Sequence, residues 1–253
     1  MRRGFLCRLF VDTTLSAAAM LKVASYNIHK CVGLDRLRRP ERIVDVLCEL
    51  DADIIALQEA DRRFGVRASA LPPELILSAS PYRPVELNKR DHSIGWHGNA
   101  ILIRKDAEIL THAHIELPTL EPRGAVIAEV RVNGIRVRVV AMHLDLSGLW
   151  RRRQARAIIA ALEARRPLPT ILMGDLNEWS LHGGCLREFA HHFRIAPTPP
   201  SFHTRQPVVR LDRIMVDHSL RIEACGVHHS PKARRASDHL PIWARLDHSI
   251  ATG

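Results

Sequence analysis

A carboxylate and a carboxamide stand two residues apart in Pro169-Thr-Ile-Leu-Met-Gly-Asp-Leu-Asn-Glu-Trp179, just after four apolar or β-branched residues. The run Thr170–Met173 reads as a short buried strand, and Gly174 frees the backbone behind it. In an extended segment, Asp175 and Asn177 point the same way and Leu176 turns back into the protein. That sets an acid/base group beside a neutral hydrogen-bond donor. An Asx-turn ending the strand accounts for the same residues, so the segment alone decides nothing.

Other polar residues also close apolar runs: Asn27, Glu59, Asn99, His143, Asp145, Asp212, Asp238 and His239. A lone histidine is usually a surface or core residue, and this chain has 15. His97, His182, His191, His192, His228 and His229 are read that way. His29 and Lys30 are kept open, because they adjoin Asn27. Arg151, Arg152 and Arg153 open a helix, where cations oppose the dipole, and read as a solvated face.

The elements that carry these residues follow from periodicity. Leu21–Ile28 and Asp53–Leu57 read as strands, with a helix from Pro40 between them whose apolar face is Ile43, Val44, Leu47 and Leu50. Residues 61–95 look like a loop-and-helix excursion on the surface. Four strand-like runs follow, Asn99–Arg104, Ile109–Leu117, Ala125–Val132 and Ile135–His143, and Asn133-Gly134 gives the last two a hairpin turn. Trp150–Arg166 reads as a helix facing inward through Ala155, Ile158, Ile159 and Leu162. After the Asp175 strand come a short helix at Cys185–Ala190, a Pro-rich loop at 197–200 and strands near 210–216, 220–229 and 240–247. No repeat or composition break divides the chain. Strands outnumber helices, as in two packed sheets with helices outside.

Bulk composition adds bounds. A chain of 253 residues with 46% apolar and 25% charged content can bury one layered core. The net charge of +10 favours anionic partners. Arginine carries almost all of the excess and is scattered along the chain, so charge singles out no one partner. Five cysteines without a C-x-x-C pair read as reduced thiols of a cytoplasmic protein. No apolar run approaches a membrane span. Residues 1–20 are expected to be an extension outside a 21–248 domain, with Met20 as an alternative start.

The segments Ser-Tyr-Asn-Ile-His, Leu-Gln-Glu, Gly-Asn-Ala-Ile-Leu, Met-His-Leu-Asp, Gly-Asp-Leu-Asn, Leu-Asp-Arg-Ile-Met-Val and Ser-Asp-His-Leu-Pro-Ile occur in that order. Over about residues 22–246 they resemble the endonuclease/exonuclease/phosphatase superfamily, the deoxyribonuclease I-like fold. The resemblance implies an α+β, four-layer α/β/β/α sandwich of two mixed, mainly antiparallel sheets with the site at one edge. It also implies phosphoester hydrolysis with Mg²⁺ or Mn²⁺. Phosphoester cleavage needs charge neutralisation, an activated water and a protected leaving oxygen. Glu59, Asn27 and Asp238 are then the metal set, since hard cations take oxygen ligands. Asp175 would accept a proton from water or help protonate the leaving group, with Asn177 on the phosphoryl oxygens or that water. His239 would be a second acid/base, and the resemblance points to Asp212 as the carboxylate that fixes its tautomer. His143 would donate to a phosphate oxygen, as in the nuclease and sphingomyelinase branches. Asn99 would face the phosphate too, and Asp145 would either join it or be a local partner of His143.

Substrate choice lives in loops rather than in the fold. Only 40 positions separate Glu59 from Asn99, which leaves little room for DNA-gripping insertions. The Ser-Tyr-Asn-Ile-His-Lys opening and compact length are most similar to a small bacterial branch. The expected substrate is therefore a lipid-type or small phosphoester, cleaved by a phosphodiesterase or phosphatase. Peripheral association with an anionic membrane and a monomeric state accompany that expectation. A DNA or RNA nuclease is the alternative. A non-catalytic basic module is disfavoured, because none of the catalytic residue types is replaced.

Overall fold

The computed structural model describes residues 20–61, 69–87, 93–120 and 123–248. In chain order its strands are β1 (Met20–Asn27), β2 (Ile54–Gln58), β3 (Tyr82–Pro84), β4 (Ala100–Arg104), β5 (Glu108–Ile115) and β6 (Gly124–Val132). They continue with β7 (Ile135–His143), β8 (Thr170–Asp175), β9 (Arg194–Ile195), β10 (Asp212–Val216), β11 (Arg221–Val227) and β12 (Ile242–Asp247). The helices are α1 (Pro40–Leu50), α2 (Pro73–Ala79), α3 (Gly148–Glu163), α4 (Cys185–Ala190) and α5 (Ala233–Ala236).

Two six-stranded sheets form, in the orders β11-β12-β1-β2-β4-β3 and β5-β6-β7-β8-β10-β9. One pair in each sheet is parallel, β1 with β2 and β7 with β8. A parallel pair needs a crossover, and α1 and α3 supply the two. Their neighbours β4, β6, β10 and β12 run antiparallel. The C-terminal ends of the parallel strands and the N-terminal ends of those neighbours therefore share one edge of the sandwich. All ten sequence-predicted site residues sit at that edge or in the loops leaving it.

Alternation builds the layers. On β1, Leu21 and Val23 face the core between the sheets, where they meet Val126, Val139 and Ile171. Ala24 and Tyr26, on the other face, pack beneath Ile43 and Leu47 of α1. Ala155, Ile158, Ile159 and Leu162 of α3 cover the opposite sheet with α4. The result is the α/β/β/α sandwich. Each fully buried Ile, Leu or Val contributes roughly 1.5–3 kcal/mol of transfer free energy, so this scaffold is stiff where it carries the site.

The excursion at 61–95 is less superficial than its sequence suggests. Leu71, Ile76, Tyr82 and Val85 are completely buried, and β3 extends the first sheet along β4. The described cysteines, Cys31, Cys48, Cys185 and Cys225, are free thiols. Among the described residues, no helix is long and apolar enough to cross a membrane. Met20 is the first residue of β1, paired with Asp247; the expected boundary at residue 20 otherwise concerns residues outside those described.

Candidate active site

Sheet register assembles the centre of the site. Asp175 lies opposite His143 in the parallel ladder and opposite Asp212 in the antiparallel one. Three adjacent strand ends thus present their side chains in a row. Gly174 is required just before Asp175, because a Cβ there would stand 1.8 Å from the carbonyl oxygen of Met142.

Asp175 Oδ2 accepts a 3.0 Å hydrogen bond from Asn27 Nδ2, which joins the two sheets. The same oxygen is 3.5 Å from His143 Nε2 and 3.7 Å from His239 Nε2. Its partner Oδ1 accepts the amide of Asn177 at 2.9 Å, so an Asx-turn closes the strand. The Asx-turn is present, with one oxygen making the turn and the other facing the histidines. The extended geometry does not reach Asn177, however. Its φ is +49°, and its Nδ2 donates to the Leu144 carbonyl at 2.9 Å. Leu176 turns inward and is buried, as its position predicts.

His239 and His143 are both buried, with opposite outcomes. Burial works against charge on His239, but Asp212 Oδ2 at 2.9 Å from Nδ1, helped by Asp175 and Asp238, raises its pKa to about 10. Ser201 Oγ donates to the same Asp212 oxygen. For His143, burial dominates and lowers the pKa to about 3; Asp175 opposes this, while Arg123, His239 and Lys30 add to it. Arg123 Nη1 lies 2.9 Å from the ring nitrogens of His143, a contact only a neutral imidazole accepts.

Glu59 follows the end of β2 in a left-handed conformation, φ +54°, which costs a non-glycine residue some strain. Its carboxylate forms an ion pair with Lys30. Burial raises its pKa, but Lys30, His29 and Arg123 outweigh that and hold the carboxyl below its ordinary range. Lys30 lies in a turn where His29, Lys30 and Cys31 all have positive φ. His29 Nδ1 is 3.7 Å from Asp238 Oδ1, and Asn27 Oδ1 accepts the His29 amide. His29 and Lys30 therefore belong to the site's rim.

Asn99 is fully buried and donates from Nδ2 to the Gly124 carbonyl at 2.9 Å. It thereby fixes the start of β6 next to Arg123. Asp145 Oδ1 caps the turn into α3 through the Ser147 amide, and its Oδ2 is buried without a hydrogen-bond partner.

Among the described residues, one group of side chains brings potential ligand atoms together, and a second set carries oxygen donors at the same edge. Asp175, Asp212 and His239 bring one ligand atom each within 4.8 Å of one another. A protonated His239 bound to Asp212 is a poor ligand, which favours acid/base use of that group. Glu59, Asp238 and Asn27 offer two carboxylates and a carboxamide. Glu59 is held ionised and already faces a cation, Lys30, and carboxylate and carboxamide oxygens are the donor types that Mg²⁺ or Mn²⁺ takes.

Arg123 escapes a reading of the sequence, since an arginine after Pro122 looks like loop. Its one signal is Gly124 at the start of an apolar run. Arg151, read as solvated, is instead buried and ion-paired with Glu178 at 3.3 Å.

The sequence model of the Endonuclease/Exonuclease/phosphatase family matches residues 24–239, which spans the whole site. The chain belongs to this family. Its members are hydrolases of phosphoester bonds. YbhP of Escherichia coli (strain K12), an uncharacterized protein, is 27% identical over 89% of this chain and 95% of its own length. A family protein of Bacteroides thetaiotaomicron superposes with a TM-score of 0.74 at 19% identity, covering 92% of this chain and all of its own. The mannosyl-6-phosphatase Bt3783 of the same species gives 0.70 at 20% identity, over 89% and 99% of the two chains. These structural likenesses concern the fold.

Proposed function

We propose that the chain is a divalent-metal-dependent phosphodiesterase acting on phospholipid-type or small phosphodiesters at a membrane surface. The lipid reading is carried by one observation. The loops that leave the catalytic strands β7 and β8, with the first turn of α3, hold four exposed apolar side chains, Leu146, Leu149, Trp179 and Leu181, with Leu146 62% and Trp179 64% exposed. Arg151 ties the two loops together through the Leu146 carbonyl and Glu178. Behind them Arg152 and Arg153 are exposed, and Arg153 covers the Trp150 ring at 4.9 Å. Leucine and tryptophan with arginine behind them suit an anionic bilayer interface, and water alone does not favour such a rim.

The chemistry divides among this chain's residues. His239 already carries its proton and is the donor to the leaving oxygen. The Asp175 carboxylate, with Asn27 fixing one of its oxygens, accepts the proton of the attacking water. Arg123 and Lys30 bring positive charge to the phosphoryl oxygens, and neutral His143 and Asn177 offer uncharged donors. Asp212 orients His239 and keeps it charged. Glu59, Asn27 and Asp238 would hold a divalent cation, which would supply further neutralisation of the phosphoryl charge when bound.

The net charge of +10 supports nuclease activity as the second reading. One assay separates them: bis-p-nitrophenyl phosphate, anionic phospholipid vesicles and supercoiled plasmid, with Mg²⁺ or Mn²⁺, wild type beside Asp175→Asn. Vesicle and diester turnover lost in the variant, with plasmid intact, supports the first reading. Variant-sensitive nicking with vesicles untouched replaces it by the second.

A further inference from the structure

Beside the His239 loop, an open pocket of about 540 Å³ lies between residues 204–205 and α5. Thr204, Arg205, His229, Ser230, Arg234 and Arg235 line it, and no carboxylate does. Elsewhere on the surface, Arg42, Arg104, Arg156 and Arg221 are held by Asp35, Asp51, Glu188 and Asp247. Among the described residues no carboxylate pairs with Arg205, Arg234 or Arg235. Glu49, the acid bonded to Ser230, is also engaged by His228 and Lys232. Three guanidinium groups around one pocket repel each other unless an anion joins them.

Thr204 supplies a second, independent sign. It is 1% exposed, and its Oγ1 is buried without a hydrogen-bond partner. A buried hydroxyl left unsatisfied costs stability, and its residue lines the pocket.

The pocket is also fixed to the catalytic machinery. The Thr204 amide donates to the Asp238 carbonyl at 2.8 Å, and the Leu240 amide donates to Ser201 at 2.9 Å. The Phe202 ring lies 4.8 Å from the His239 ring, centroid to centroid. Arg235 precedes His239 by only four positions, and its carbonyl accepts the Leu34 amide at 3.2 Å. The wall of the pocket is therefore joined by main-chain hydrogen bonds to the loop that carries His239.

We propose that this pocket is a subsite for a second phosphate group on the substrate, apart from the phosphodiester being cleaved. A phosphate offers several acceptor oxygens, which suit planar guanidinium groups and a hydroxyl donor. The proposal rests on the phosphodiesterase reading and narrows it to substrates bearing two phosphates. The second phosphate belongs either to a lipid headgroup or to a soluble diester.

The test compares substrates matched except for that phosphate. Phosphatidylglycerol and phosphatidylglycerol phosphate in mixed micelles form the lipid arm. p-Nitrophenyl thymidine 5′-phosphate and its 3′-phosphorylated derivative form the soluble arm. The variants are Thr204→Val and the double Arg234→Gln, Arg235→Gln. In at least one arm, KM for the two-phosphate member rises about tenfold in the double variant, the loss of about 1.4 kcal/mol, and less in Thr204→Val. Its kcat stays level, and bis-p-nitrophenyl phosphate kinetics do not change. The responding arm identifies the source of the phosphate. Equal effects on one- and two-phosphate substrates, or no effect on either, overturn the subsite. If the wild type cleaves no diester at all, the phosphodiesterase reading fails separately. Calorimetric binding of inorganic pyrophosphate then decides: binding weakened in both variants supports the subsite, and binding unchanged in them, or undetectable in the wild type, removes it.

Discussion

His143 and His239 flank one oxygen of Asp175 at 3.5 and 3.7 Å, and both are buried, yet their pKa values are pushed in opposite directions. His143 ends a strand inside the ladder, and its close neighbours include the Arg123 guanidinium. Its pKa falls to about 3. His239 stands in the loop before β12, and its Nδ1 meets the Asp212 carboxylate. Its pKa rises to about 10. Burial disfavours the imidazolium in both; the second neighbour decides. The lesson is that a shared carboxylate does not make two histidines equivalent. One becomes a neutral hydrogen-bond partner and the other a proton donor.

Removing the shared charge tests this most severely. Asp175→Asn takes away the proposed proton acceptor and an anion that supports charge on both rings. Activity on bis-p-nitrophenyl phosphate is expected to fall about 10³-fold, with an unchanged circular dichroism spectrum. A variant within tenfold of wild type removes Asp175 from the chemistry.

Asp212→Asn acts on one side only. Without its principal counter-charge, His239 loses its proton at lower pH, so the alkaline limb of the pH–rate profile moves down by about one unit for each 1.4 kcal/mol of lost interaction. Rate at pH 8 falls about 10²-fold. The His239–Asp212 pair also stabilises the fold fully below pH 6.5 and loses that contribution as pH rises through about 10. The variant's stability should therefore decline less over that range. An unmoved alkaline limb breaks the proposed pairing.

How much of this could be read from the chain depends on what each feature rests on. Strand ends were legible because apolar runs stop at Asn27, Glu59, His143 and Asp175. The Asp212–His239 pairing was available through the family resemblance. The charge states were not legible, since burial and the approach of Arg123 to His143, 20 positions away, arise only on folding. Short β3 and β9 and the four-residue α5 carry too little periodicity to register. Asn177 departed from its extended expectation because the Asx-turn to Asp175 redirects the backbone after one residue.

His143→Gln sharpens the other side. A histidine buried neutral stabilises the fold above pH 6.5 and loses that contribution as pH falls through about 3, because the unfolded chain takes up the proton first. Denaturant titrations of metal-free protein at pH 7 and pH 4.5 should show a smaller acid loss in the variant, by roughly 1–3 kcal/mol. Equal acid losses would mean that His143 is not held neutral.

The smallest effect concerns the rim, where the Lys30 ammonium meets the Glu59 carboxylate. Lys30 and Glu59 are each about a quarter exposed, with side-chain values of 27% and 23%, so their attraction is partly screened. While the ammonium occupies that carboxylate, a divalent ion bound there would have to displace it. Lys30→Met leaves Glu59 free, and half-maximal activity should be reached at about threefold lower Mg²⁺, a change of well under 1 kcal/mol. The maximal rate falls as well, because one positive charge near the phosphoryl oxygens is gone. Activity titrated against Mg²⁺ separates the two effects. A half-saturating concentration that stays put or rises means Lys30 serves the substrate alone and does not contend for the metal site.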